Sequence, residues 1–247
     1  MNTKLVKLLQ EDFISTSPSF RLAPLVKIED GPFIFKKQKE QDVVVYPWLH
    51  NTPEEPYISI SQNLGSQFSY IYSEFVRELM VQADKLKSEK FNLSTDHTDV
   101  LGYIEYYSMN IQKNTGVSPN VILMSPEVAS RILAQDQIRS YRENTENINK
   151  TQYEALTDWF RTRLGLDLII EQSVGMTEEG TCEFIAGNTI ILAVANKNTE
   201  GRSCFVTPHK EDDFINFEVK DNTCICESTY AVKLIDPSLG LRLEVKM

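Results

Sequence analysis

Residues Thr95–Leu133 read TDHTDVLGYIEYYSMNIQKNTGVSPNVILMSPEVASRIL. Val100, Ile104, Tyr107 and Ile111 recur at the spacing of one face of an α-helix. Asn114-Thr115-Gly116 ends that helix, because glycine takes the left-handed position after a last helical turn without a Cβ clash. Val117-Ser118-Pro119-Asn120 is a turn, with φ fixed by proline and turn geometry tolerated by asparagine. Val121-Ile122-Leu123-Met124 is short and wholly apolar, the pattern of a strand buried on both faces. Ser125-Pro126-Glu127 starts a second helix: serine caps, proline suits the first helical position, and glutamate faces the positive end of the dipole. Val128, Ala129, Ile132 and Leu133 give that helix its apolar stripe. Helix, turn, buried strand, helix is thus the predicted order at the centre of the chain.

The 247 residues are enough for one large domain or two small ones with a sizeable core. Hydrophobic content of 41% and charge of 24% are ordinary for a soluble globular protein. A net charge of −10 argues against a general nucleic-acid-binding surface, which needs clustered Lys and Arg. The apolar run Lys4–Leu9 is too short for a signal peptide and is interrupted by Glu11-Asp12. The longest apolar run, Ile190–Ala195, falls far short of the roughly 20 residues that span a bilayer. The expectation is a protein made in the cytosol, with no membrane partner.

Residues 1–26 are an arm with a short amphipathic start. Phe33-Ile34-Phe35 and Val43-Val44-Val45-Tyr46 are two β-type runs joined by the polar segment Lys36–Asp42, a hairpin with a long tip. Pro47, Pro53 and Pro56 predict irregular extended chain. Ser66–Lys90 is the longest predicted helix, with Phe68, Tyr72, Phe75, Leu79, Ala83 and Leu86 inward. Arg139–Lys150 is polar and reads as a surface loop. Thr151-Gln152-Tyr153-Glu154 is a capping box. The helix it opens places Tyr153, Leu156, Phe160 and Leu164 inward and closes at Gly165. Leu168–Ile170, Thr189–Ala195 and Ser203–Thr207 read as strands, with turns at Gly175, Gly180 and Gly187. The C-terminal part is β: Ile215, Phe217 and Val219 alternate with polar residues, Tyr230–Ile235 runs into the turn Asp236–Gly240, and Leu241, Leu243 and Val245 alternate with Arg242, Glu244 and Lys246.

Little in the sequence carries chemistry. His50, His97 and His209 are scattered and read as solvated. Cys182, Cys204, Cys224 and Cys226 lack the ligand spacing of a zinc site and read as reduced thiols, with neither metal nor disulfide. Glu211-Asp212-Asp213 lacks the spaced oxygen ligands of a calcium loop, and Glu178-Glu179 reads likewise as solvated charge. No nucleophile elbow, zincin helix or phosphate loop occurs. The predicted catalytic, cofactor-binding and metal-binding residues are none, and no enzyme activity is expected.

The segment Thr115–Val128, TGVSPNVILMSPEV, resembles a conserved-order segment of tailed-bacteriophage major capsid proteins, the family with the Hong Kong 97 capsid fold. Leu164–Ile170 resembles that family's helix-to-strand junction, and Tyr230–Leu241 its final strands. The order of arm, long-tipped loop, long helix, α/β module and closing strands is similar along nearly the whole chain, and most similar from Thr98 to Met247. The resemblance implies an α+β fold of the Hong Kong 97 type: N-terminal arm (1–26), extended β-hairpin loop (27–61), spine helix of a peripheral domain (62–94), axial domain (95–220), and closing strands of the peripheral domain (221–247). It implies a major capsid protein that self-assembles into hexamers and pentamers of an icosahedral shell. The shell would enclose double-stranded DNA without reading its sequence, as part of a virion made in the host cytoplasm. Implied partners are a separate scaffolding protein, since the arm is too short for a fused one, a portal, and decoration proteins. The self-cross-linking branch of the family uses a loop lysine, an asparagine and a catalytic glutamate. Lys36, Lys37 and Lys39 are in the right element, but nothing matches the other two, so no such role is carried over. Two other readings stay open at this point: an encapsulin-type compartment with the same fold, and an unrelated α/β enzyme.

Overall fold

The computed structural model of the chain describes residues 13–14, 17–27, 36–39, 43–44, 56–95, 97–144, 151–177, 180–196, 202–209, 215–220 and 223–247. After a 3-10 turn at Pro18–Arg21 come three short strands, β1 (Leu25–Lys27), β2 (Lys36–Lys39) and β3 (Val43–Val44). The long helix α1 follows (Pro56–Ala83), 28 residues and so about 42 Å in length. It begins ten residues before the expected start. Pro56 does not interrupt a loop; it is the first helical residue, where a missing N–H costs nothing. The helix also stops earlier than expected. Leu86 keeps the helical period and is buried, but the chain has already turned, and Ser88–Asn92 forms strand β4 with only Phe91 fully inward.

Helix α2 (Val100–Thr115) is capped by Asp99, whose carboxylate accepts from the Gly102 N–H, and it ends at Gly116 with φ 78°. Strand β5 (Val121–Met124) is buried along its length, and Ser125 caps α3 (Pro126–Leu133) by accepting from the Val128 N–H. The predicted polar loop is in part a helix, α4 (Asp136–Asn144). Ile138 is its fully buried apolar anchor, too sparse a signal for periodicity to register. Helix α5 (Gln152–Leu164) opens with both hydrogen bonds of the capping box. It buries Ala155, Leu156, Trp159 and Phe160, while the predicted Tyr153 and Leu164 pack only partly against the core.

The rest is β: β6 (Asp167–Ile170), β7 (Val174–Met176), β8 (Cys182–Phe184), β9 (Thr189–Ala193), β10 (Phe205–His209), β11 (Ile215–Lys220), β12 (Thr223–Tyr230), β13 (Lys233–Leu234) and β14 (Gly240–Lys246). Gly175, expected at a turn, is in strand β7 instead. Tyr230–Ile235 is not one strand: β12 ends at Tyr230, and Ala231-Val232, both buried, separate it from β13.

The centre is a five-stranded mixed sheet, β4-β14-β9-β5-β6. β14 runs parallel to β4 and antiparallel to β9; β9 is antiparallel to β5, and β5 parallel to β6. β5 and β9 are buried from end to end, as central strands covered on both faces must be. α5 packs on β6, and α2 on β14 and on the 3-10 turn Pro237–Leu239. Along β14 the inward Leu241, Leu243 and Val245 alternate with outward residues as predicted. A three-stranded sheet β1-β10-β13, a sheet of β11, β12, β2 and β3, and the antiparallel pair β7-β8 complete the fold among the described residues.

Candidate functional site

No catalytic constellation was expected, so the places of interest are those where distant segments are fixed to one another. The first is the seat of residues 17–23. Phe20 stacks on Phe75 of α1, with centroids 4.3 Å apart, and Phe13 meets Phe20 and Tyr72 edge-on. Leu22 and Ala23 are fully buried. Beside this apolar contact is a buried carboxylate. Glu171 is 1% exposed. It accepts hydrogen bonds from the Ser19 hydroxyl, from the Tyr72 hydroxyl at 2.6 Å and from the Ser173 N–H at 2.9 Å. The Ser19 N–H in turn donates to the Tyr72 oxygen at 2.9 Å. A charge taken out of water is tolerable only when several donors meet it, and here they come from three segments. Burial first, then the Glu171 carboxylate, pushes the Tyr72 hydroxyl well above the ordinary tyrosine range, so Tyr72 stays a donor.

Residues further along the same segment are also held. Arg21 reaches Asp167 at 2.7 Å and the Leu168 carbonyl at 3.2 Å, and Arg161 reaches the other Asp167 oxygen at 3.2 Å. These pairs are part-exposed and contribute little to stability. The Thr207 hydroxyl, buried, donates to the Ala23 carbonyl at 2.9 Å, and β1 continues alongside β10 in parallel. Residues 17–27, most of them in the predicted arm, are therefore packed into their own subunit. Their partners lie far away in sequence, at 72, 75, 167–173 and 205–209.

The second place is the loop strand. β2 and β3 both pair antiparallel with β12, Lys36 opposite Tyr230 and Val44 opposite Thr223. Paired residue numbers sum to 266 along β2 and to 267 along β3, a one-residue shift of register of the kind a bulge produces. A two-stranded hairpin with a polar tip is thus not what forms here. Lys36, Lys37 and Lys39, expected in the tip, lie in β2, because β12 supplies a ladder that the local sequence does not announce. Phe33–Phe35, Val45 and Tyr46 lie outside the described residues.

The Asn120 of the central motif is structural. Its amide donates to the Ala195 carbonyl and accepts from the Ala195 N–H, both at 2.8 Å. Its own carbonyl accepts from the Asp167 N–H at 2.8 Å. One asparagine thus joins the start of β5 to the end of β9 and the start of β6.

The chemistry-bearing residue types are dispersed. The exposed His97 has a partner, Asp136, at 2.5 Å. His209 is not in a loop: it lies in β10, opposite Lys27. Cys182 is exposed in β8, and Cys204 is buried, its thiol pushed up by burial and then by Asp236. Among the described residues no group of three or more His, Cys, Asp or Glu gathers to hold a metal ion. No helix among them is long and apolar enough to cross a membrane. His50, Glu178-Glu179 and Glu211-Asp212-Asp213 lie outside the described residues, as do the side chains of Cys224 and Cys226.

No protein-family model matches the sequence, and no curated protein matches it. Solved structures do match. A phage-related protein of Bordetella bronchiseptica RB50 overlays 96% of both chains with a TM-score of 0.73 at 12% identity. The virus-like particle from Pyrococcus furiosus overlays 98% of this chain and 99% of its own, with a TM-score of 0.59 at 14% identity. The mature capsid of bacteriophage PhiM1 covers 87% of this chain and 71% of its own, with a TM-score of 0.51 at 9% identity.

Proposed function

We propose, from the premise that the chain has the Hong Kong 97 capsid fold, that it is the major capsid protein of a tailed bacteriophage. In this reading copies of the chain form hexamers and pentamers of an icosahedral shell around double-stranded DNA. The observation that supports it is the overlay on the mature capsid of bacteriophage PhiM1, beside the end-to-end overlay on the phage-related protein. A shell subunit needs broad contacts more than it needs a cleft. The sheet of β2, β3, β11 and β12 supplies such surface, formed from segments more than 170 residues apart in sequence. The acidic balance, −10, suits a container that must not hold its DNA tightly. The reading assigns no reaction, cofactor or metal to the chain. It divides the chain as arm (1–26), extended loop (27–61), spine helix (62–94), axial domain (95–220) and closing strands (221–247). A separate scaffolding protein and a portal are the partners proposed for such a shell, with decoration proteins as further candidates, and the virion is its proposed place.

The overlay of 91% of this chain on the SrpI encapsulin of Synechococcus elongatus PCC 7942, with a TM-score of 0.53 at 13% identity, favours a second reading, an encapsulin-type compartment. One preparation separates the two. Recombinant protein is examined by electron microscopy, and particles recovered from the native source are treated with nuclease and their contents analysed. Uniform closed particles protecting double-stranded DNA support the capsid; uniform particles holding one protein species and no DNA support the compartment. A strictly monomeric protein at high concentration and varied salt refutes both.

A further inference from the structure

We propose that the cleft walled by Glu171, between the 3-10 turn Pro18–Arg21, α1 and the link from β6 to β7, binds a primary alkylammonium ion, the cationic end of a small amine.

The cleft has a volume of about 590 Å³, within the roughly 300–1,000 Å³ of small-molecule sites. Three segments wall it: Pro18 from the 3-10 turn, Ser69, Tyr72 and Ser73 from α1, and residues 170–174. They are held together from behind, by Phe20 stacked on Phe75 and by the Ser19 and Tyr72 hydroxyls that both reach Glu171. The cleft is therefore fixed in shape before anything enters it, and a ligand does not have to order its walls.

Charge is the first argument. Of the residues that line the cleft only Glu171 is an acid, and none is Lys, Arg or His. The cations nearest to the wall residues along the chain have carboxylates of their own: Arg77, one turn beyond Ser73, reaches Glu74 at 3.1 Å, and Arg21 reaches Asp167 at 2.7 Å. A buried carboxylate is normally met by a cation as well as by neutral donors. Glu171 has the donors, from Ser19, Tyr72 and Ser173, and among the described residues it lacks the cation. A cation entering the cleft supplies it, and the low dielectric of the surrounding protein strengthens the attraction.

Hydrogen-bonding capacity is the second. A carboxylate offers about four lone-pair positions. Oε2 of Glu171 takes the Ser19 and Tyr72 hydroxyls, whereas Oε1 takes only the Ser173 N–H, so one position on Oε1 is left among the described residues. Ser69, Ser73 and Gln172, in the same walls, carry further oxygens that can accept. A primary ammonium brings three N–H donors and no acceptor, which matches walls of this kind. A quaternary ammonium has no N–H to give.

The apolar remainder of the lining completes the match. Pro18, Ile170 and Val174 offer contact to methylene groups. A bare metal ion would leave most of such a cleft unfilled, and the described residues gather no group of three or more His, Cys, Asp or Glu to hold one. An alkyl chain ending in an ammonium group uses both the carboxylate and the apolar wall.

The test is calorimetric titration of the purified chain, at constant ionic strength, with butylamine and with 1,4-diaminobutane, against tetramethylammonium. Both amines are expected to bind saturably with a Kd on the order of 1 mM and to raise the melting temperature, because they bind only the folded chain. Tetramethylammonium is expected to do neither. Glu171→Gln keeps the shape of the side chain and removes its charge; with its fold checked by circular dichroism, it should weaken amine binding by about tenfold or more. Should that variant not fold, Ser73→Lys decides, since its tethered ammonium should occupy the cleft and abolish amine binding. No saturable binding of either amine overturns the proposal. So does equal binding of tetramethylammonium, wild-type affinity in folded Glu171→Gln, or unchanged binding in Ser73→Lys. The shell reading is decided separately, by particle formation.

Discussion

Replacing Tyr72 with phenylalanine isolates one hydroxyl group. The ring keeps its contacts with Phe13, Phe20 and Phe75. What goes is a 2.6 Å bond donated to the buried Glu171 and a 2.9 Å bond accepted from the Ser19 N–H. A hydrogen bond to a charged group contributes about 1.5–3 kcal/mol, and a buried N–H left without a partner costs about 1–3 kcal/mol more. The two losses share one site and are not fully additive, so Tyr72→Phe is expected to cost about 3 kcal/mol. For a chain of this size that lowers the melting temperature by roughly 6–12 °C. Denaturant titration of dissociated subunits measures it directly. Ser19→Ala alone should cost less, because Glu171 keeps two donors, and the double variant should fall short of the sum, since both act on one carboxylate. The pH dependence gives an independent check. The folded Tyr72 holds its proton above the ordinary tyrosine range, so its contribution is complete below about pH 10 and is lost as the pH rises further, when the unfolded side chain ionises first. Tyr72→Phe should flatten that alkaline decline; Tyr107, shifted in the same direction, keeps its share in the variant. A variant within about 0.5 kcal/mol of wild type, or strict additivity with Ser19→Ala, would refute the account of a coupled buried network.

Three further outcomes are expected. Gly240→Ala brings a Cβ within 2.5 Å of the Cys204 sulfur and 3.2 Å of Leu86, an overpacking that should cost about 1–3 kcal/mol in chemical denaturation. Burial raises the Cys204 thiol, so its contribution is complete below about pH 8.5 and declines above it; Cys204→Ala should flatten stability between about pH 8.5 and 10, measured by urea midpoints across that range. Replacing residues 33–46 with a Gly-Ser linker removes the strands that pair with β12; far-ultraviolet dichroism should keep its helical signal and unfolding its cooperativity, while electron microscopy should find no closed particles.

The elements best read from sequence are those whose ends carry their own chemistry. Ser125-Pro126, Thr151 with Glu154, Gly116 and Gly165 are local signals, and each sits where its hydrogen bond or positive φ requires. Pro56 misled because one residue type both opens helices and breaks them, and only the following helix decides. α4 was missed because its sequence is polar apart from Ile138 and Tyr141. β2 was missed because Lys-Lys-Gln-Lys has no strand character, and the ladder partner is about 190 residues away. The Glu171 network was illegible for the same reason: Ser19, Tyr72 and Glu171 are separated by 53 and 99 residues. No spacing rule joins them, although an acidic residue directly following the apolar strand Leu168–Ile170 was a visible oddity. The resemblance found in the central motif located the fold, but Asn120, its most distinctive residue, turns out to be a staple between strands.

The position of β14 has a consequence for synthesis. It lies between β4 and β9 in the sheet, yet β4 ends at residue 92 and β14 begins at 240. At about 5–20 residues per second, roughly 7–30 seconds pass between their emergence from the ribosome. From the synthesis of β9 (Thr189–Ala193) onward the nascent chain holds two unpaired strand edges facing an empty slot. It cannot finish its core sheet, and the late strand must insert between two that are already waiting. Neighbouring chains on one polysome therefore expose matching edges at the same stage, and at that stage mispairing between chains competes with folding. The nascent chain's need for a chaperone is greatest just before its last strand appears.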